Sequence, residues 1–193
     1  LFKQTDGNIL AEAKKYISAE KEVASEDDAL SGARDIIAEW VNEDQTARQK
    51  VRKLFENEGV ITSKVIKNKE EEGQKYRDYF DWTEPVKSIP SHRLLAIRRG
   101  EKEMILSVDI TPPEDLAIDI LDEQFVTSKN NAAEEVAKAV KDAYKRLMKP
   151  SMETETRLNT KTHADQDAID VFANNLRQLL MAAPMGEKAT MAV

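Results

Sequence analysis

Residues 25–59, SEDDALSGARDIIAEWVNEDQTARQKVRKLFENEG, hold the pattern on which the fold turns. Ser25 followed by Glu26, Asp27 and Asp28 offers a helix cap and the early acids that a helix N-terminus favours. Leu30, Ala33, Ile37, Trp40 and Val41 recur at the 3.6-residue period and form one apolar face. After Asn42-Glu43-Asp44 the period resumes through Ala47, Val51, Leu54 and Phe55, and it stops at Gly59, which is placed for a left-handed helix end. Two amphipathic helices parted by a polar tripeptide predict a helical hairpin.

The flanking segments repeat this character. Asp6-Gly7 precedes a predicted helix over residues 8–20. Val60 to Ile66 is β-branched and short, a weak strand or an irregular segment. Residues 70–80 read as helix, and Thr83-Glu84-Pro85 as the start of another short one with proline in its first turn. Ser91 is placed to cap a helix over 92–99, with Arg98 and Arg99 in its last turn and Gly100 just past its end. Met104 to Ile110 is the best strand candidate. Thr111 and Glu114 have capping-box spacing ahead of a helix over 112–124. Ala133, Val136, Val140, Ala143, Tyr144 and Leu147 form an amphipathic stripe that Pro150 is expected to stop; a second stripe runs from Ala168 through Phe172 to Leu180. Lys188 to Val193 is apolar and strand-like, without a partner in view. The fold class is therefore mainly α: a multi-helix array with a minor short β element.

Composition agrees. The 193 residues are 34% charged and 6% aromatic, with only 6 glycines and 6 prolines, a mixture that favours helices in one ordinary domain or two small ones. With no cysteine there is no disulfide, thiolate zinc site or cysteine nucleophile, as suits a reducing compartment. No apolar run approaches the roughly 18 residues of a membrane span. Leu1-Phe2-Lys3-Gln4 is neither a signal peptide nor a natural start, so a piece of a longer protein is expected.

Catalytic constellations are hard to assemble. The two histidines, His92 and His163, have no metal-ligand spacing, so no metal and no cofactor are expected. Ser91-His92 follows no strand–turn–helix nucleophile elbow and is better explained by capping. The acids, including Glu153 and Glu155, read as solvated helix faces, and no glycine-rich phosphate loop exists.

Charge is the informative feature. The net charge of −7 argues against a freestanding polycationic nucleic-acid binder. Yet residues 45–102 hold 14 basic against 9 acidic side chains, and the remainder 15 against 27. From this electropositive middle, Lys75, Arg77, Arg93, Arg98, Arg99 and Lys102 are the candidates to meet nucleic-acid phosphates. Pairing of the same residues with the acidic flanks is the competing reading. Tyr79-Phe80-Asp81-Trp82 reads as packing.

Three segments recur together in a known arrangement: Gly32-Ala33-Arg34-Asp35-Ile36-Ile37-Ala38-Glu39; Lys75-Tyr76-Arg77-Asp78-Tyr79-Phe80-Asp81 with Pro90-Ser91-His92-Arg93; and Asp142-Ala143-Tyr144-Lys145-Arg146-Leu147 with Pro150-Ser151 and Phe172-Ala173-Asn174-Asn175-Leu176. In order and spacing they resemble the bacterial Tex family of transcription accessory proteins, from about residue 9 onward. The resemblance implies a long cytoplasmic protein in which this chain is the helical region, residues 1–186, before a YqgF domain of RuvC-like fold opening at residues 187–193. It also implies helix-hairpin-helix elements and an RNA-binding OB-fold domain downstream. Thr154 departs from the family pattern, where a basic residue is usual. No catalytic residue carries over. The expectation is a non-enzymatic scaffold whose full-length protein binds RNA or DNA; the alternative is a module that docks to RNA polymerase or another transcription partner.

Overall fold

The computed structural model describes residues 1–18, 20 and 22–182. The expected strand at Lys188 to Val193, and with it the boundary at residue 187, lies outside the described residues.

Helix α1 (Ile9–Ala13) is capped by the Asn8 side chain, which accepts from the Leu10 and Ala11 N–H groups, and tightens into a 3-10 turn over Lys14–Tyr16. The expected helix to residue 20 is cut short, because Ile17 is extended and Ser18 pairs with Val23 in an antiparallel bridge. Helices α2 (Glu26–Glu43) and α3 (Gln45–Glu58) form the expected hairpin, joined by Asp44 alone. Ser25 Oγ accepts from the Asp28 N–H at 3.1 Å and donates to the Asp28 carboxylate at 2.9 Å, while Asp44 Oδ1 accepts from the Ala47 N–H at 2.7 Å. These bonds satisfy donors that each helix start leaves orphaned. Gly59 is not left-handed: its φ is −62°, and the space explains the residue, since a Cβ there would overlap the Phe55 carbonyl oxygen.

A three-stranded antiparallel sheet follows, with β1 (Val60–Val65) between β2 (Asp81–Pro85) and β3 (Leu106–Thr111). Ile61 lies opposite both Glu84 and Ile110, and Ser63 opposite both Trp82 and Val108. The helix start expected at Thr83-Glu84-Pro85 is thus an edge strand. Trp82 and Glu84 alternate with exposed Asp81, Thr83 and Pro85, the pairing to β1 uses their backbone, and proline is tolerated at a strand end on an edge. The helix expected over 70–80 shrinks to a 3-10 turn, Gln74–Tyr79.

Helix α4 (Ser91–Lys102) packs on β3 and that turn. Pro90, not Ser91, occupies its cap, and no side chain caps it. Gly100 does not end it either; it is buried inside the helix, where a Cβ would come within 2.6 Å of Leu106 Cδ1. Helix α5 (Glu114–Phe125) begins after Pro113, and the expected Thr111–Glu114 capping box is not made because Thr111 is held in the sheet opposite Val60. Helix α6 (Asn131–Asp142), capped by Asn130, runs through a π-helical segment (Ala143–Met148) into α7 (Lys149–Met181), 33 residues long. The expected stop at Pro150 is therefore absent. The Lys149 N–H bonds the Tyr144 carbonyl, five residues back, so the proline falls in the first turn after a change of helical pitch, where its missing N–H is least costly.

Two apolar cores result. One gathers Ile37, Val41, Val51, Phe55, Leu121, Val136, Val140, Tyr144, Met148 and Met152 from α2, α3, α5, α6, the π segment and the start of α7. The other gathers Ile61, Tyr76, Leu94, Ile97, Ile105, Leu106, Val108, Ile110 and Ala164 around the sheet. Helix α7 enters both, through Met152 and Ala164.

Candidate nucleic-acid interface

The six basic candidates do not form one face. Arg93 lies against the sheet: its Nη1 donates to both carboxylate oxygens of Glu84 at 2.8 Å, and its guanidinium stands 4.9 Å from the Trp82 ring centroid. Trp82 Nε1 donates to the same carboxylate at 3.2 Å. Arg93 is thus part of the packing of α4 on β2. Arg98 pairs with Glu101 one turn along α4. Lys75 pairs with Glu103 at 2.6 Å, and this bond raises the lysine pKa and lowers that of the carboxyl. Arg77, Arg99 and Lys102 are exposed and make no ion pair among the described residues.

Helix geometry divides them further. Arg98 and Lys102, four residues apart, line a shallow groove with Arg157 and Lys161 of α7. Arg99 shares the opposite flank with His92 and borders a groove floored by Leu95, Ala96, Ala168 and Val171. Arg157 and Lys161 escaped the sequence reading because only the fold brings α7 beside α4. The spacing Glu153, Arg157, Lys161, Asp165 was the available signal.

Acids neutralise most of that groove. Arg157 donates to Glu101 at 2.7 Å and to Glu153 at 2.9–3.0 Å, and also to the Val108 carbonyl. Burial works against its charge, and the two carboxylates more than offset this, leaving its pKa raised. Lys161 pairs with Asp165. Lys102 is the one cation of the four without such a partner among the described residues.

In the cleft between α7, α3 and the start of α4, about 340 Å³, several charged groups are likewise paired. Arg52 makes a two-pronged pair with Glu155 at 2.6 and 3.1 Å, which lowers the carboxyl pKa. Ser91 Oγ donates to Asp167 Oδ2 at 2.5 Å, and His163 Nδ1 lies 3.3 Å from the same oxygen. The serine therefore meets a carboxylate rather than an imidazole, the reverse of a nucleophile with its base. Among the described residues, no group of three or more His, Cys, Asp or Glu side chains could hold a metal ion, and no helix is long and apolar enough to cross a membrane.

A helical bundle joined through one long helix to a small three-stranded sheet, with Arg93, Arg98 and Arg157 paired to carboxylates, defines a mainly helical module. The model of the Tex central region-like family matches residues 6–172, and the chain belongs to that family. It is 37% identical over 190 residues to the uncharacterized protein YdcI of Bacillus subtilis, covering 97% of this chain and 26% of that protein. It is 38% identical over 191 residues to the protein YhgF of Escherichia coli, covering 94% and 25%. It is 34% identical over 199 residues to the transcriptional accessory protein Tex of Neisseria gonorrhoeae, covering 100% and 26%. The chain thus spans about a quarter of the length of these relatives.

Proposed function

We propose that the chain is the non-enzymatic scaffold of a Tex-like transcription accessory protein of the cytoplasm, holding downstream nucleic-acid-binding domains, the YqgF-like domain from residue 187 among them, at a set distance. The observation that carries this is α7. Its 33 residues span about 50 Å, and both apolar cores are built onto it, so it acts as a stiff strut rather than a linker. The basic contribution to nucleic-acid binding is confined to Arg77, Arg99 and Lys102, because Lys75, Arg93 and Arg98 spend their charge on Glu103, Glu84 and Glu101.

The test is fluorescence anisotropy with labelled single-stranded RNA and duplex DNA at two salt concentrations, for this chain and for the longer protein. Reversing Arg77, Arg99 and Lys102 to glutamate is expected to weaken binding and to reduce the salt slope by roughly 1 for each lost phosphate contact. Reversing Arg93 and Arg98 is expected to lower stability instead. An unchanged affinity and slope in the first variant would remove the basic surface and leave scaffolding alone. The second reading, docking to RNA polymerase or another transcription partner, is favoured by the apolar side chains that α7 leaves in solvent. Co-purification of polymerase with the chain, lost on substituting Phe172 and Leu176, would support it.

A further inference from the structure

Phe2, Ile36 and Trp40 form an apolar patch on the outer face of α2, and none of the six basic candidates lies on that helix. Ile36 and Trp40, one turn apart, are 55% and 51% exposed; Phe2, 41% exposed, meets the Trp40 ring edge-on with centroids 5.4 Å apart. Single exposed apolar residues are ordinary, but three gathered large ones mark a contact surface. Phe2 is held in place from behind. Buried Gln4 donates to the Phe125 carbonyl at 2.6 Å and accepts from the Thr127 and Ser128 N–H groups at 2.8 and 3.0 Å, which fastens the N-terminal segment to the α5–α6 turn.

The rim of the patch is acidic. Asp35, Glu39 and Glu43 are exposed and flank Ile36 and Trp40 at neighbouring helix positions. Arg146 bridges Asp35 at 3.1 Å but is shared with Asp142, whereas Glu39 and Glu43 have no salt-bridge partner among the described residues. Lys3, next to Phe2 in sequence, is exposed and forms no salt bridge among the described residues. A half-exposed indole among carboxylates attracts cations twice over, through the ring face and through the acids.

We propose that this face docks a cationic protein segment, in which arginines or lysines surround one apolar anchor. The anchor seats against Ile36 and Phe2, a guanidinium stacks on the open face of Trp40, and the remaining cations pair with Glu39 and Glu43. Phosphates would meet three carboxylates here, so nucleic acid is the wrong ligand for this face. The inference adds a docking face on α2 separate from the exposed stripe of α7, and it stands apart from the basic surface, whose failure would leave it intact.

The experiment uses the chain and two short labelled peptides, one with leucines among arginines, the other with glutamate in place of every arginine. The arginine peptide is expected to bind, more weakly as salt rises, while the glutamate peptide does not. Trp40→Ala, and separately Glu39→Lys with Glu43→Lys, are each expected to weaken binding by about ten-fold; the charge variant decides the matter if the tryptophan variant fails to fold. Glu70→Lys with Glu71→Lys, exposed residues that follow β1 and form no salt bridge among the described residues, is the charge-matched control and leaves binding unchanged. Equal affinity for both peptides, or unaltered binding by both α2 variants, would overturn the proposal. So would a concentration-dependent dimer abolished by Trp40→Ala, since a second copy would then own the face.

Discussion

Glu135 on α6 shows at a single residue how this chain spends its charge. It is 7% exposed, accepts from Arg34 of α2 at 2.5 Å, and is met by Lys138 at 2.7 Å. Burial opposes its ionisation, the two cations more than compensate, and its pKa is lowered. A carboxyl depressed in the folded state adds stability that is present above the unfolded value, near 4.5, and is lost as pH falls through the folded one. Glu135→Gln is therefore expected to cost about 1–3 kcal/mol at neutral pH, and to flatten the loss of stability below about pH 4.5, in urea unfolding followed at both pH values. A variant that tracked the wild type at both would mean the pair adds nothing. The same partner problem governed the basic candidates. Arg98 and Glu101, three apart on α4, carried a local signal of pairing, but Glu84 reaches Arg93 only because β2 folds back beside α4, so spacing could not separate Arg93 from Arg99 and Lys102, which have no ion pair among the described residues.

At the scale of elements, the free edge of β3 is closed by a helix. The Ile110 N–H donates to Glu153 and the Val108 carbonyl accepts from Arg157, so two side chains one turn apart on α7 take the place of a fourth strand. An open edge invites pairing with other chains, and this device blunts it. Arg157→Leu is expected to destabilise by about 2–4 kcal/mol, because Glu101 and Glu153 lose their shared cation and a backbone carbonyl loses its donor. Glu153→Ala is expected to speed hydrogen exchange of the Ile110 amide selectively; exchange rates equal to the wild type would show that the edge needs no cover. Elements were legible where periodicity was long, as in α2, α3 and α6. They were misread where pairing decided: Thr83-Glu84-Pro85 became strand because β1 offered its backbone, and Pro150 failed to stop a helix because the π segment absorbed its missing N–H.

Across the whole molecule α7 has two unlike halves. Met152 and Ala164 are buried in the two cores, whereas Ile169, Phe172, Leu176, Leu179 and Leu180 stand 43–76% exposed. Met148→Ala, in the bundle core, is expected to cost about 2–5 kcal/mol, while Leu179→Glu with Leu180→Glu should change stability by less than about 0.5 kcal/mol. Thermal unfolding of the two variants checks this, and a large loss in the second would mean that the distal stripe is packed. The stripe was legible as an amphipathic face, yet amphipathicity alone does not tell whether a face is covered, and Trp40 shows the same: it keeps the α2 period but sits in solvent beside Phe2. By itself, the sequence determined the family, the helical class and the sheet's last strand, because these rest on local periodicity and on motifs in fixed order, while Val60 to Ile66 became strand only through its two partners. Only the tertiary structure decided which cations are free, which apolar faces are open and that one strut joins both cores, because each depends on contacts between residues far apart in the chain.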